Sequence, residues 1–173
     1  AAHDRSGWSV SLSADGQTVA IGAAYNDGNA GNSGHVRIYQ YDATKVTAQP
    51  DQTLANFGPV GWNRLGSDID GEAAGDNSGI SVSLSADGQT VAIGARNNDD
   101  NGSNSGHVRI YTYNGTIWSK LGEDIDGEAS NTNSGSSVSL SADGRTVAIG
   151  AHSNDAETVN SKVGHVRIYQ YDA

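Results

Sequence analysis

The 173-residue sequence contains no cysteine and no methionine, a single phenylalanine (Phe57) and only two prolines (Pro50 and Pro59). Without cysteine there are no disulfides, no thiol nucleophile and no Cys-ligated zinc. Positive charge is scarce: ten Lys and Arg stand against twenty Asp and Glu, for a net charge of −10. That balance argues against nucleic acid, whose partners carry basic patches, and against an anionic membrane surface. No apolar run approaches the roughly 20 residues that span a bilayer. Hydrophobic residues reach only 35%, below the ~45–50% of ordinary domains. An initiating Met and a leader are also missing, and the chain opens inside a repeat, so a processed or excised piece of a longer protein is expected.

What is present is glycine, 23 residues of it, and short apolar runs in strict alternation. Alternation of Val, Leu and Ile with small polar residues marks ordered strands rather than disorder. The stretch Ser-Val-Ser-Leu-Ser-Ala-Asp-Gly occurs three times, at Ser9–Gly16, Ser81–Gly88 and Ser137–Gly144. Each copy leads into Thr-Val-Ala-Ile-Gly-Ala, a polar loop, and Gly-His-Val-Arg-Ile-Tyr. Faithful repetition of this kind is the mark of stacked like units.

Four strands are expected per unit. In unit one, strand A is Ser9–Ser13, strand B Thr18–Ala23 and strand C His35–Tyr41, with an Asp-Gly turn between A and B. A weak strand D follows at Trp62–Leu65, and at Trp118–Leu121 in unit two. Val10 to Val82 spans 72 positions and Val82 to Val138 spans 56. The difference is an insertion at about 43–60 in unit one, expected as an irregular loop holding Pro50, Phe57 and Pro59. The units are then 1–72, 73–128 and 129–173, and the third lacks strand D. Each sheet has one face of Val, Leu and Ile from strands A and B and another of Ser, Ala and Gly. A bulky face on one unit fits the small face of the next, so the units stack face to face and need one another. A 56-residue period fits a propeller blade or a similar stacked sheet.

The order Ser-Gly-Xaa-Ser-Val, Val-Ala-Ile-Gly-Ala, Gly-His-Val-Arg-Ile-Tyr resembles the FG-GAP repeats of integrin-α-type β-propellers. The resemblance covers nearly the whole chain outside the insertion. It implies an all-β fold of stacked four-stranded antiparallel sheets, about three propeller-type blades with the last incomplete. Two features depart from that family. Its Phe is replaced by Ser6, Ser78 and Ser134, and its Pro by Ala24, Arg96 and His152. The Asp-Xaa-Asp-Xaa-Asp-Gly calcium loop that many of its blades carry between strands A and B is here only Ala-Asp-Gly-Gln, with Arg145 last in the third copy. That calcium site does not carry over.

Other oxygen-rich stretches offer candidate ligands. Asp68, Asp70 and Glu72, with Asp76 beyond, recur as Asp124, Asp126 and Glu128, and alternating carboxylates around a glycine could ring a calcium ion. The spacing lacks a terminal bidentate Glu on a twelve-residue loop, so a solvated turn with carboxylates capping amides is the favoured expectation. No cofactor is expected otherwise. The loop Asn26–Asn29, repeated as Asn98–Asn101, changes length in unit three and is expected to be solvent-exposed. His35, His107 and His165 repeat in register, but equivalent residues on stacked sheets lie at least ~10 Å apart, too far to share a zinc ion. These histidines, with Arg37, Arg109 and Arg167, are expected to meet the acidic stretches. Trp62 and Trp118 are expected to anchor strand D, while Trp8 has no repeated counterpart. Asn101-Gly102-Ser103 and Asn114-Gly115-Thr116 fit the glycosylation sequon.

No catalytic set stands out, so the expected function is a non-enzymatic extracellular or cell-surface module for adhesion or for surface or filament assembly. Its expected partners are protein: self-association, or the remainder of a parent chain adding a strand at the 165–171 edge. The alternative is a lectin-like propeller that binds glycan on Trp or Tyr.

Overall fold

A computed structural model describes residues 3–45, 61–153 and 163–172. The chain forms three antiparallel sheets, and no α-helix occurs among the described residues. The first sheet holds β1 (Ser9–Leu12), β2 (Thr18–Ala23), β3 (His35–Tyr41), β4 (Trp62–Arg64) and β5 (Ile69–Asp70). The second holds β6 (Ser81–Leu84), β7 (Thr90–Ala95), β8 (His107–Tyr113), β9 (Trp118–Lys120) and β10 (Ile125–Asp126). The third holds β11 (Ser134–Leu140), β12 (Thr146–Ala151) and β13 (His165–Gln170). These are β-propeller-type blades, as the repeats imply. Most of the insertion, including Pro50, Phe57 and Pro59, lies outside the described residues, as does the Ala156–Val159 stretch. Only a 3-10 turn at Ala43–Lys45 is described at the start of the insertion.

The fourth strand differs from expectation in being two pieces on one neighbour. β4 pairs the far end of β3 (Tyr41 with Trp62), and β5 pairs its near end (Val36 with Ile69). The same split recurs as β9 and β10 on β8. Gly66 and Gly122 sit at the breaks with φ of 69° and 73°, left-handed values that suit glycine.

Register places Val10, Ile21 and Arg37 in one row and Leu12, Val19 and Tyr39 in the next. Because side chains alternate along a strand, the opposite face carries Ser9, Ser11, Ala20, Val36 and Ile38. That face packs on the bulky face of blade two. Ala20, Val36, Ile38 and Ile69 form one core with Val82, Leu84, Val91 and Ile93. Ala92, Val108 and Ile110 form the next with Val147 and Ile149. The expected stacking is therefore present, and the small residues permit it. A Cβ on Gly22 would stand 2.1 Å from Gly79 O, and one on Gly94 2.1 Å from Gly135 O. Serine hydroxyls stitch the same seams: Ser9 Oγ donates to Gly79 O at 2.7 Å, and Leu84 N donates to Ser11 Oγ at 3.0 Å.

The Asp-Gly turns stack too. In each, the Asp carboxylate accepts from a Ser hydroxyl two residues back and a backbone N–H two residues on (Ser13 Oγ and Gln17 N for Asp15). Ala14 N donates to Ala86 O, and Ala86 N to Ala142 O, each at 2.9 Å.

Candidate functional site

The charged residues collect at one end of strand C, where β3, β8 and β13 begin. Strand alternation puts His and Arg, two residues apart, on the same face, and the split fourth strand delivers an aspartate beside them. In blade one, Arg37 Nε and Nη2 donate to the two oxygens of Asp68, each at 2.9 Å, and Arg64 Nη1 donates to Asp68 Oδ1 at 2.9 Å. In blade two, Arg109 Nε donates to Asp124 Oδ2 at 3.2 Å and Lys120 Nζ to Asp124 Oδ1 at 2.7 Å. Burial opposes ionisation of Asp68 and Asp124, but the bonds and charges of these cations outweigh it and hold both carboxyls below the usual range.

Ion pairs also cross between blades. Arg109 pairs with Glu72 of the preceding unit, and Arg167 pairs with Glu128. His165 Nδ1 lies 3.7 Å from the same Glu128. The expected contact of the His and Arg rows with the acidic stretches is thus found. The expectation of a solvated turn is met in part: Asp70, Glu72, Asp126 and Glu128 are exposed, and Asp76 Oδ2 accepts from Ala73 N at 3.0 Å. It is corrected at two points: Ile69–Asp70 and Ile125–Asp126 are strand, and Asp68 and Asp124 are tied to guanidinium and ammonium groups rather than capping amides. The arginines of strand C, which project toward the split, are the reason.

The second polar loop is exposed at 27–29 and 99–101, as expected, but with one exception. Asn98 is buried, its Nδ2 donates to Asp100 Oδ2 at 3.1 Å, and its Oδ1 accepts from Asp100 N at 3.0 Å. Asp100 thereby comes within 3.8 Å of His107 Nδ1, with Asp124 Oδ2 at 4.0 Å. Loop length varied between units in the sequence, and that variation concealed an inward-turned Asn. Burial pushes the imidazoles of His35 and His107 below the ordinary value despite the acids around them, so both are neutral at pH 7.

Two groups among the described residues bring ligand atoms within 4.8 Å of one another: Glu72, Asp100, His107 and Asp124, and His35, Asp68 and Asp70. Asp126 and Glu128 belong to neither. In each group one of the two aspartates is already met by an arginine, Asp124 by Arg109 and Asp68 by Arg37, which supplies positive charge that a cation would bring.

The FG-GAP repeat family matches residues 1–39 and 69–111. Over those residues, which fall in blades one and two, the chain is similar to FG-GAP repeats. No curated protein matches the chain. Among solved structures, the β-propeller domain of Myceliophteria thermophila Cps50 (Swd1) superposes with a TM-score of 0.52 at 13% identity, covering 94% of this chain and 39% of that one. Kuenenia stuttgartiensis hydrazine synthase gives 0.50 at 16% identity, covering 94% and 44%. The chain thus spans about two-fifths of the length of these structures. At such identities the likeness is one of fold.

On this propeller-type frame the tryptophans behave as strand-D anchors. Trp62 meets Tyr41 with ring centroids 5.5 Å apart, and Trp118 meets Tyr113 at 5.1 Å. Trp118 Nε1 further donates to Leu65 O of blade one at 3.0 Å. Trp8 is exposed, edge-on to Tyr25, with Arg5 over both rings. The sequons differ: Asn101 Nδ2 is engaged by Gly127 O at 2.7 Å, whereas Asn114 sits on the exposed β8–β9 turn, its Oδ1 accepting from Thr116 N and Ile117 N.

Proposed function

We propose that this propeller module is a non-enzymatic assembly or adhesion element, working outside the cell or at its surface and engaging other protein through its two open sheet faces. The observation that carries this reading is the contrast between ends and junctions. Val166 and Ile168 on blade three are 67% and 71% exposed, whereas their blade-one counterparts Val36 and Ile38 are 0% and 1% exposed. At the other end Val10 and Leu12 lie open where Val82 and Leu84 are covered. Contiguous apolar exposure of this kind marks interaction surface. β13 pairs only β12 among the described residues, so its outer edge can accept a further strand.

A non-catalytic role is supported by how the polar groups are used. Asp68 and Asp124 are held in ion pairs. His152 Nδ1 does lie 2.8 Å from Ser136 Oγ, but that hydroxyl donates its proton to Asn133 O at 2.6 Å. The imidazole therefore donates to the serine and does not act as its base. The extracellular placement rests on the repeat type, which is typical of surface proteins. Trp8, the residue most suited to stacking on a sugar, stands where Ile80 is buried at a blade junction; its exposure belongs to the open face and favours protein docking over glycan.

Sedimentation of the chain over a wide concentration range tests the proposal. Self-association that Val166→Asp with Ile168→Asp abolishes is expected, because both residues sit on the open face. A chain that stays monomeric throughout would count against it.

A further inference from the structure

Between blades two and three, beside the open edge of β13, lies a cavity of about 210 Å³ lined by Leu121, Gly122, Leu140, Val147, Tyr169 and Tyr171, among others. The corresponding place between blades one and two is filled. Trp118 sits there, packed against the core that contains Leu84 and Val91, together with Leu65 and Tyr111. Its Cδ1 comes within 3.0 Å of where a Cβ on Gly66 would lie. It also meets Tyr113 and donates to Leu65 O. Each of these neighbours has its repeat counterpart in the cavity wall, down to the glycine that leaves room for the indole.

We propose that this groove and the β13 edge take an extended segment of the form Trp-Xaa-Arg/Lys-Leu-Gly-Xaa-Asp-Ile-Asp, with its indole in the cavity. The proposal rests on the assembly reading above and gives that reading a partner of defined chemistry. Both internal copies set the register. Trp62 and Trp118 stand opposite Tyr41 and Tyr113, and Arg64 and Lys120 opposite Tyr39 and Tyr111. Ile69 and Ile125 stand opposite Val36 and Val108. On β13 the tryptophan therefore falls opposite Tyr171, the basic residue opposite Tyr169 and the isoleucine opposite Val166. Tyr171 is already placed for this, since its N–H donates to Arg145 O at 2.8 Å just as Tyr113 N–H donates to Gln89 O at 2.9 Å.

Charge agrees with shape. In the internal copies the first aspartate of the segment pairs with the strand-C arginine (Asp68 with Arg37, Asp124 with Arg109) and with the segment's own basic residue four positions back. On β13 the equivalent arginine is Arg167. The occupant thus gains main-chain bonds along an edge, an indole in an apolar slot, and an ion pair that fixes direction. This combination is strand addition, with side-chain pockets giving specificity.

The test uses a fluorescently labelled peptide with the sequence of Trp118–Asp126, titrated with the whole chain and followed by anisotropy. Saturable binding is expected, weakened at least about tenfold when the peptide carries Trp118→Ala, since an indole anchor is the kind of group that dominates an interface. The peptide should also slow amide exchange at Val166–Tyr171. Tyr171→Ala, a change at an exposed side chain that leaves the core intact, should weaken binding as well. Absence of saturable binding, equal binding of the Trp118→Ala peptide, or protection confined to β8 through exchange with β9 would overturn the proposal. Self-association of the chain without peptide binding would sink this inference and leave the assembly reading standing; peptide binding by a chain that stays monomeric would do the reverse.

Discussion

Blades one and two carry the same Ser-Val-Ser-Leu and Thr-Val-Ala-Ile-Gly-Ala strands, yet the two copies live in different environments. Val10 and Leu12 are 64% and 59% exposed, whereas Val82 and Leu84 are 8% and 7% exposed. Nothing in the strands themselves differs. Burial here is a property of the neighbour, as expected for units whose stability is a sum of intrinsic and nearest-neighbour terms. The same contrast runs along the opposite face, where Ile38 is covered by blade two and Ile168 by nothing described.

The largest effect that follows is a pair of substitutions at equivalent positions. Ile38→Ala is expected to cost about 2–5 kcal/mol, the usual range for emptying a packed core site. Ile168→Ala should stay within about 0.5 kcal/mol, as exposed substitutions do. Urea melts of the two variants check this. Similar losses would mean that the blade-three face is covered in solution, and would locate the docking partner there.

Next comes the glycine of strand B. Gly94→Ala would press a methyl group on Gly135 O, a backbone atom of the next blade, at a cost of about 1–3 kcal/mol. Gly150 is its repeat in blade three, where the new Cβ would press on the rotatable Ser137 Oγ at 2.3 Å and meet backbone no nearer than Ser137 O at 3.8 Å, an ordinary contact. Gly150→Ala should therefore be clearly milder in thermal denaturation. An equal loss would show that sheet geometry, and not the blade seam, demands glycine.

The arginines of strand C follow. Arg37 is partly open and pairs with Asp68 of its own blade, while Arg109 is buried and joins Asp124 to Glu72 across a seam. Arg109→Gln is expected to lower stability by about 1–3 kcal/mol, the range for hydrogen bonds to charged groups. Arg37→Gln should cost no more than about 1 kcal/mol, as exposed pairs do. EDTA should leave the Tm of the parent chain unchanged; a fall would mean that a bound cation, and not the guanidinium, supplies the countercharge.

Much of this architecture is legible in the residues. Alternation along Ser9–Leu12 and Thr18–Ala23 specifies the strands, and the small face opposite the bulky one specifies the stacking. What alternation could not reveal is the split fourth strand, since two residues such as Ile69 and Asp70 are too short to carry a period. The site was half legible. Register among His35, His107 and His165 pointed to contact with the acidic stretches, but which carboxylate meets which arginine depends on the twist between blades. The inward turn of Asn98 left no local signature. The exposed Val166 and Ile168 could not be told from Val36 and Ile38, because the letters are the same.

The smallest expected effect concerns the one device that a neighbour should not change. Asp15 and Asp143 occupy the same turn in the first and last blades, and each carboxylate accepts from a serine hydroxyl and from a backbone N–H within its own turn. The serine bond first, then the backbone bond, holds both carboxyls below the ordinary aspartate value of 3.8. A carboxyl whose pKa is lower folded than unfolded stabilises the fold above the unfolded value, and that contribution disappears as pH falls through the folded one. Asp15→Asn and Asp143→Asn retain an acceptor oxygen and remove only the charge. Each should lower Tm slightly at neutral pH, and the gap from the parent should close as the pH is taken below about 3.8. Because the bonds are internal to the turn, the two variants should behave alike. Should Asp143→Asn alone show the pH-dependent gap, the turn-to-turn bonds from Ala14 N to Ala86 O and from Ala86 N to Ala142 O would have to contribute to the carboxylate's environment, and even this local element would depend on its place in the stack.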